Sequence, residues 1–358
     1  MTYTVEADTL TQFGTNVLTA LGVPTDDAHL LSDSLVVAEL WGHSSHGMLR
    51  LPWYVERLRS GAMAAVTQAE TIVDSGAVVV LEGHHGVGQV LAAEAVEVGV
   101  ERARIHGVSA VGVRNSNHFG TAAYFTRRSA EAGCVAFLST NASPAMAPWG
   151  GQTKALGTNP WSIAAPAGRR GVAVMDIANT AVARGKIYLA AERGEDLPAG
   201  WAADENGVPT TDAAQAVHGL ILPMAGHKGY VISFMMDVLA GVLTGSSFSS
   251  DVAGPYEANK PSGCGHMLLT IDVSVIMPRA EFDARMEALI ADVKAVPTAP
   301  GVAEIFFPGE LEDRNAVRNR GRGIAVADNT WDSLAQLAAE TGANLPATST
   351  GNRLERLT

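Results

Sequence analysis

Apolar positions near the N-terminus recur at helical spacing. Leu10, Phe13, Val17, Leu18 and Leu21 share one face, and Gly22 and Pro24 end the run. The pattern predicts a second helix that starts at Thr25, runs through AHLLSDSLVVAEL and stops near Gly42. Pro52 suits a first helical turn, and PWYVERLR continues from it to Gly61, a C-terminal cap. The stretch between, WGHSSHGMLR, is a helix-to-helix junction that carries His43, His46 and Arg50. From residue 71 the period changes. Short β-branched runs (TIVDSGAVVVLEG, VSAVGVRNS, VAFLST, GVAVMDIA) alternate with Ala-rich helical stretches such as VLAAEAVEVGVERARIHG, which predicts an α/β sheet with helices on its faces. HMLLTIDVSVIMP reads as a further strand, AEFDARMEALIADVKAV as an amphipathic helix and WDSLAQLAAETG as a last surface helix. In YVISFMMDVLAGVLTG, Val231, Phe234, Met235, Val238, Leu239 and Val242 form an apolar face opposite Ser233, Asp237 and Gly241, predicting a mostly buried helix.

Composition narrows the function classes. At 358 residues and 47% hydrophobic, the chain can build a large core. The net charge of −12, with no Lys or Arg block, disfavours a nucleic-acid surface. Cys134 and Cys264 form no CxxC pair, so a disulfide framework and a thiolate zinc cage are both unsupported, and a reducing cytoplasm fits best. The N-terminus carries acids where an export signal needs bases. The longest apolar run is broken by Ser233 and Asp237, so no membrane span is expected.

Several stretches carry candidate chemistry. VVVLEGHHGVGQVLAAEAV looks at first like a dinucleotide-binding turn, but Leu91 stands where the third glycine belongs. Arg114 and Asn115 stand where an acid for the ribose would be expected, so a plain strand-to-helix turn is the better reading. His118, in RNSNHFGTAAYF, ends a strand-like run and is either an acid/base or a surface histidine. GTNPWSIAAPA and STNASPAMAPWGG read as rigid loops. Asp176 ends an apolar strand, where it would accept from a ribose or cap the following helix. Gly226, Lys228 and Gly229 open a helix whose first turn suits an anion such as a pyrophosphate, with a solvated lysine as the plain alternative. No carboxylate or further histidine follows His46 at metal-ligand spacing, so no metal is expected. A hydrolase or lyase using His43, His46 and His118 on an ion remains the rival from another class.

Six blocks in order, SHGMLRLPWYVERLRSG, NSNHFGTAAYF, APWGG through LGTNP, MDIANTAVARGK, GHKGYVISFMMDVLAG and FPGELE, span residues 45 to 312. Together they resemble the malate/L-lactate dehydrogenase family that is distinct from the Rossmann-type enzymes. The resemblance implies an α/β fold: a mixed sheet with flanking helices, a non-Rossmann NAD(P)-binding domain, and a helical substrate and dimerisation region. The divisions expected are a helical N-terminal region 1–70, a cofactor- and substrate-binding core 71–311, and a segment 312–358 packing back on the N-terminal region. It implies a cytoplasmic homodimer, with NAD or NADP as cofactor, that interconverts small 2-hydroxy and 2-oxo acids. Reduction of cyclic imine carboxylates is the alternative. Carried over by motif, His46 and His118 are the acid/base candidates, and Ser45, Arg50 and Thr158 hold substrate. Asp176, Ile177, Ala178, Lys228, Gly309, Glu310 and Leu311 line the cofactor. Asp176-Ile177-Ala178-Asn179-Thr180 departs from the frequent DMATS, and Thr140-Asn141-Ala142 from TNS. His227 replaces a frequent aromatic, so cofactor and substrate choice stay open.

Overall fold

The computed structural model describes residues 2–348. Strand β1 (Thr2–Val5) leads into helices α1 (Ala7–Thr19), α2 (Thr25–Trp41) and α3 (Leu51–Ser60). The junction between α2 and α3 is two 3₁₀ turns, Ser44–His46 and Met48–Arg50, set off by left-handed Gly42 at the end of α2. Next come β2 (Glu70–Asp74), β3 (Val78–Glu82), α4 (Gly88–His106), β4 (Val108–Ser116), α5 (Ala123–Glu131) and β5 (Cys134–Thr140). The run from 71 to 83 is thus a hairpin and not one strand. Strand β6 (Trp161–Pro166) occupies GTNPWSIAAPA, expected to be loop, because every second residue packs inward once β5 and β7 (Val172–Ile177) flank it.

A small lobe follows: α6 (Arg184–Arg193), β8 (Ala202–Ala203), β9 (Pro209–Thr210), α7 (Ala213–His218) and β10 (Leu220–Ile221). It has its own apolar cluster around Val182, Ile187, Leu197 and Ile221. The chain closes with α8 (His227–Asp237), a π turn Val238–Val242, β11 (Cys264–Asp272), α9 (Arg279–Lys294), α10 (Glu310–Arg322), β12 (Ile324–Ala327) and α11 (Asp328–Thr341).

The main sheet is mixed, as the family resemblance implied, with order β2-β3-β4-β11-β5-β6-β7. Only the β3–β4 pair is parallel, joined through α4 as a parallel pair requires. Leu268 of β11 points to α4 at Gly99, while its neighbour Met267 lies by Gly112 on the π-turn side, so the sheet is covered on both faces. One apolar core runs from α1, α2 and α3 through α4 and α5 to the sheet. Strand β12 pairs with β1, α10 packs on α2, and α11 packs on α3, returning the chain to its start. The final residues of the expected 312–358 segment, 349–358, lie outside the described residues.

Helix α8 reverses the sequence expectation. Val231, Phe234, Met235, Val242 and Leu243 are about half exposed, whereas Ser233, Asp237 and Gly241 are buried. The polar edge turns inward because it finds partners there: Ser233 Oγ donates to Gly157 O at 2.9 Å, and Asp237 accepts from Asn141 Nδ2 at 2.8 Å. Among the described residues no helix is long and apolar enough to cross a membrane.

Candidate active site

The α2–α3 junction, the loop after β4, the end of β7, the start of α6 and the Pro255–Tyr256 turn surround a cleft of about 390 Å³. Ser45, His46, Arg50, His118, Thr158, Asp176 and Ala178 all line it. Thus seven of the twelve residues marked in the sequence meet in one place.

His46 and His118 lie nearly parallel, with ring centroids 6.0 Å apart and planes at 18°. Each is anchored through Nδ1. His46 Nδ1 is 2.9 Å from Ser45 Oγ, and His118 Nδ1 is 2.7 Å from Tyr54 Oη. Among the described residues neither Nε2 has a protein hydrogen-bond partner, so both rings present that nitrogen to the cleft. Both imidazoles are half-buried and hemmed in by the walls. Loss of solvent, with Arg50 and His43 adding repulsion, lowers His46 to about 4. Burial, then His46 and Arg50, hold His118 well below the ordinary histidine value. At neutral pH the pair is therefore uncharged until a ligand changes the local field.

Arg50 supplies the positive charge. Its Nε donates to Ser45 O at 2.6 Å and its guanidinium stacks 4.0 Å over Trp53, which leaves the outer N–H groups toward the cleft. Arg184, also in the wall, donates to Pro144 O at 3.3 Å. Asp176 Oδ2 accepts Ala123 N–H at 2.8 Å, so it caps α5 and not the helix that follows it in sequence. Crowding by the walls raises its carboxyl from the usual range, with Ala123 N–H opposing. The side chain is nevertheless exposed to the cleft. His43, outside the matching block that begins at Ser45, also lines the cleft and stands 3.5 Å from Glu312.

Other marked residues lie elsewhere. Lys228 is exposed near the start of α8 and is not in the cleft wall. Ile177 and Leu311 are also outside the wall, and Gly309 precedes α10 in a left-handed conformation, against Val174. The Glu310 carboxylate is bound by Lys294 Nζ at 2.6 Å and Arg314 Nη2 at 2.7 Å, so its acceptors are engaged within the chain.

The wall includes residues that lie within the matching blocks but were given no role from sequence. Thr121 and Thr180 line it, and each has a buried Oγ1 without a protein partner. Unpaired buried hydroxyls are costly unless a ligand satisfies them. They suit the amide and ribose groups of a nicotinamide nucleotide, as do the Asp176 carboxylate and the adjacent Ala178 backbone. Tyr54 and Gln89 lie behind His118, and only the four-residue step from Arg50 to Tyr54 on α3 could have flagged the tyrosine. The glycine cluster at Gly83 to Gly88 also serves this site. His84 and His85 turn through φ of 47° and 58°, and Asn117 Nδ2 grips His85 O and Gly86 O, both at 2.8 Å. A Cβ on Gly88 would sit 2.3 Å from Asn117 O, so only glycine lets α4 approach the loop that carries His118. Among the described residues no group of three or more His, Cys, Asp or Glu is arranged to hold a metal ion.

The family model described as malate/L-lactate dehydrogenase matches residues 5–335. The L-sulfolactate dehydrogenase of Methanothermobacter thermautotrophicus is 37% identical over 329 residues, covering 92% of this chain and 94% of that protein. Among solved structures, the sulfolactate dehydrogenase of Methanocaldococcus jannaschii superposes with a TM-score of 0.90 at 33% identity, covering 96% of this chain and 98% of that one. The delta1-piperideine-2-carboxylate reductase of Pseudomonas syringae superposes with a TM-score of 0.84 at 29% identity, covering 94% and 99%.

Proposed function

Because the chain belongs to the malate/L-lactate dehydrogenase family, we propose that it interconverts a 2-hydroxy acid and a 2-oxo acid with a nicotinamide dinucleotide, NAD or NADP. The observation that carries this reading is the convergence of two imidazoles and Arg50 in one cleft, beside unpaired threonine hydroxyls. Thr121, Thr180, Asp176 and Ala178 would hold the dinucleotide, which when bound supplies or accepts the hydride.

The protein's own groups do the rest. Arg50 pairs with the substrate carboxylate, with Ser45 and Thr158 adding hydrogen bonds. His46 handles the proton: neutral in the free enzyme, it takes one from a hydroxy acid during oxidation. In the reductive direction the bound carboxylate favours imidazolium, which donates to the oxygen that becomes hydroxyl. Arg184 lines the cleft and, among the described residues, has no ion-pair partner, which fits an acid bearing a second anionic group, carboxylate or sulfonate. Lys228, Ile177, Gly309, Glu310 and Leu311 then belong to the outer reach of the dinucleotide or to its framework. The division into 1–70, 71–311 and 312–358 follows the same reading, with the first and last parts meeting beside the substrate end. The half-exposed apolar face of α8 and its π turn supports a homodimer, since a face of that kind is seldom left to water.

The test is a panel of 2-oxo acids and a cyclic imine carboxylate, each assayed with NADH and with NADPH at 340 nm. Oxaloacetate or sulfopyruvate should be reduced fastest. Faster reduction of the cyclic imine would favour the second family activity, and no turnover with any member would refute the reading. Loss of turnover in His118→Gln with His46→Gln near wild type would reverse the two histidine roles.

A further inference from the structure

We propose that Gln89 and Tyr54 lock His118 as a neutral imidazole protonated on Nε2, so that it offers the substrate oxygen a fixed hydrogen bond and leaves proton transfer to His46. The proposal rests on the reading of the cleft as a site for 2-oxo acids. Its geometric basis is the order of donors behind the ring.

A backbone N–H can only donate. The N–H of Gly120 points at His118 Nδ1 from 3.3 Å, so Nδ1 must carry the lone pair. Tyr54 Oη, 2.7 Å from the same nitrogen, must then donate its proton to it. The phenol oxygen is left as an acceptor, and Gln89 Nε2 supplies the donor from 3.1 Å. Direction therefore runs one way, from Gln89 through Tyr54 to His118. Gln89 and Tyr54 are both essentially inaccessible to solvent, so water cannot easily take the place of either link. Burial also raises the Tyr54 phenol well above its ordinary value, which keeps the O–H in place as a donor.

His46 is anchored differently. Its Nδ1 meets only the Ser45 hydroxyl, at 2.9 Å, and a hydroxyl can rotate to donate or accept. His46 can therefore gain a proton and lose it without leaving a mismatched partner. A neutral His118 that surrendered its Nε2 proton would become imidazolate, which is far too basic to form at neutral pH. The two similar rings thus have different tasks, set by what lies behind each Nδ1. Tyr54 and Gln89 act through His118 and are positioning residues.

The experiment is long-range ¹H–¹⁵N NMR of the enzyme labelled with ¹⁵N-histidine, without substrate, with His118 assigned by His118→Gln. The expected result is a protonated Nε2 and bare Nδ1, unchanged from mildly acidic to alkaline pH despite the charges of Arg50 and Arg57 and the rings of His46 and His266 nearby. A proton on Nδ1, or a ring that titrates in that range, would overturn the proposal. The near-isosteric Tyr54→Phe leaves Nδ1 with only the longer Gly120 N–H contact, so it should shift the His118 ¹⁵N signals toward mixed tautomers and, with oxaloacetate and NADH or NADPH, give a kcat about tenfold lower, about 1.4 kcal/mol, with KM within about twofold. An unchanged His118 signal or an unchanged kcat in Tyr54→Phe would also overturn it. Because the NMR reads the free enzyme, the tautomer is decided even if no 2-oxo acid is turned over.

Discussion

Arg57→Met should loosen the active site from behind. Arg57 is only 1% exposed, yet its guanidinium faces neutral acceptors. Nη2 donates to Asn117 Oδ1 at 2.8 Å, and Nη1 to Glu257 O at 2.6 Å and Gly254 O at 3.3 Å. It therefore ties α3 to the loop before His118 and to the turn that brings Pro255 and Tyr256 to the cleft. Hydrogen bonds from a charged donor contribute roughly 1.5–3 kcal/mol each, so the two short ones account for roughly 3–6 kcal/mol. Relief from burying a cation returns part of this, and methionine keeps the packing of the stem. We expect a net loss of roughly 2–4 kcal/mol, set largely by the acceptors left without a donor. Urea unfolding, followed by fluorescence and by circular dichroism to check for a single transition, measures it. kcat/KM for oxaloacetate should fall at least about tenfold in the folded variant, about 1.4 kcal/mol of lost transition-state stabilisation. A variant with wild-type stability and wild-type kcat/KM would refute the claim that Arg57 holds these segments together.

Three further outcomes follow from other parts of the molecule. His266 bridges Thr140 Oγ1 at 2.8 Å and Ser116 Oγ at 2.7 Å, and burial lowers it to about 3 from 6.5. The unfolded chain binds a proton there that the folded one refuses, so its contribution is complete above pH 6.5 and is lost as pH falls toward 3. Stability in that window should fall by up to roughly 1.4 kcal/mol per pH unit on this account, and His266→Gln should show a shallower slope; an identical slope would contradict the assignment. Arg184→Met should lower kcat/KM for oxaloacetate at least about tenfold while leaving 2-oxobutyrate within about threefold, and an equal loss on both acids would remove Arg184 as the reader of a second anionic group. Phe234→Glu, on the half-exposed face of α8, should convert a dimer to a monomer in light scattering; a variant that remains dimeric would place the interface elsewhere.

How far the sequence carried depended on whether a residue's environment is local. The turns at Ser44–His46 and Met48–Arg50 were legible because Gly42 and Pro52 bracket them, and the motif around His118 marked the second ring. The α/β sheet followed from the change of period after residue 71, and its mixed character from the family resemblance. What failed was non-local. The apolar face of α8 was visible in the spacing, but periodicity cannot say whether core, solvent or a partner covers it; here the buried edge is the one that finds hydrogen bonds. Strand β6 was hidden by its loop-like composition until β5 and β7 flank it. His43 reaches the cleft because α10 brings Glu312 beside it, across a long stretch of chain. Tyr54 and Gln89 lie in stretches the sequence singled out but drew no role there, since their role exists only when α3, α4 and the loop after β4 meet. The glycine cluster at 83–88 forms the strand-to-helix turn expected of it, yet its use, gripping Asn117, appears only in three dimensions.

The central claim is that this cleft moves a hydride between a nicotinamide ring and the C2 carbon of a small acid. Oxaloacetate reduced with NADH or NADPH deuterated on the transferring face should yield malate carrying one deuterium on C2 by mass spectrometry. Malate without that deuterium, or a label that exchanges into solvent, would contradict it.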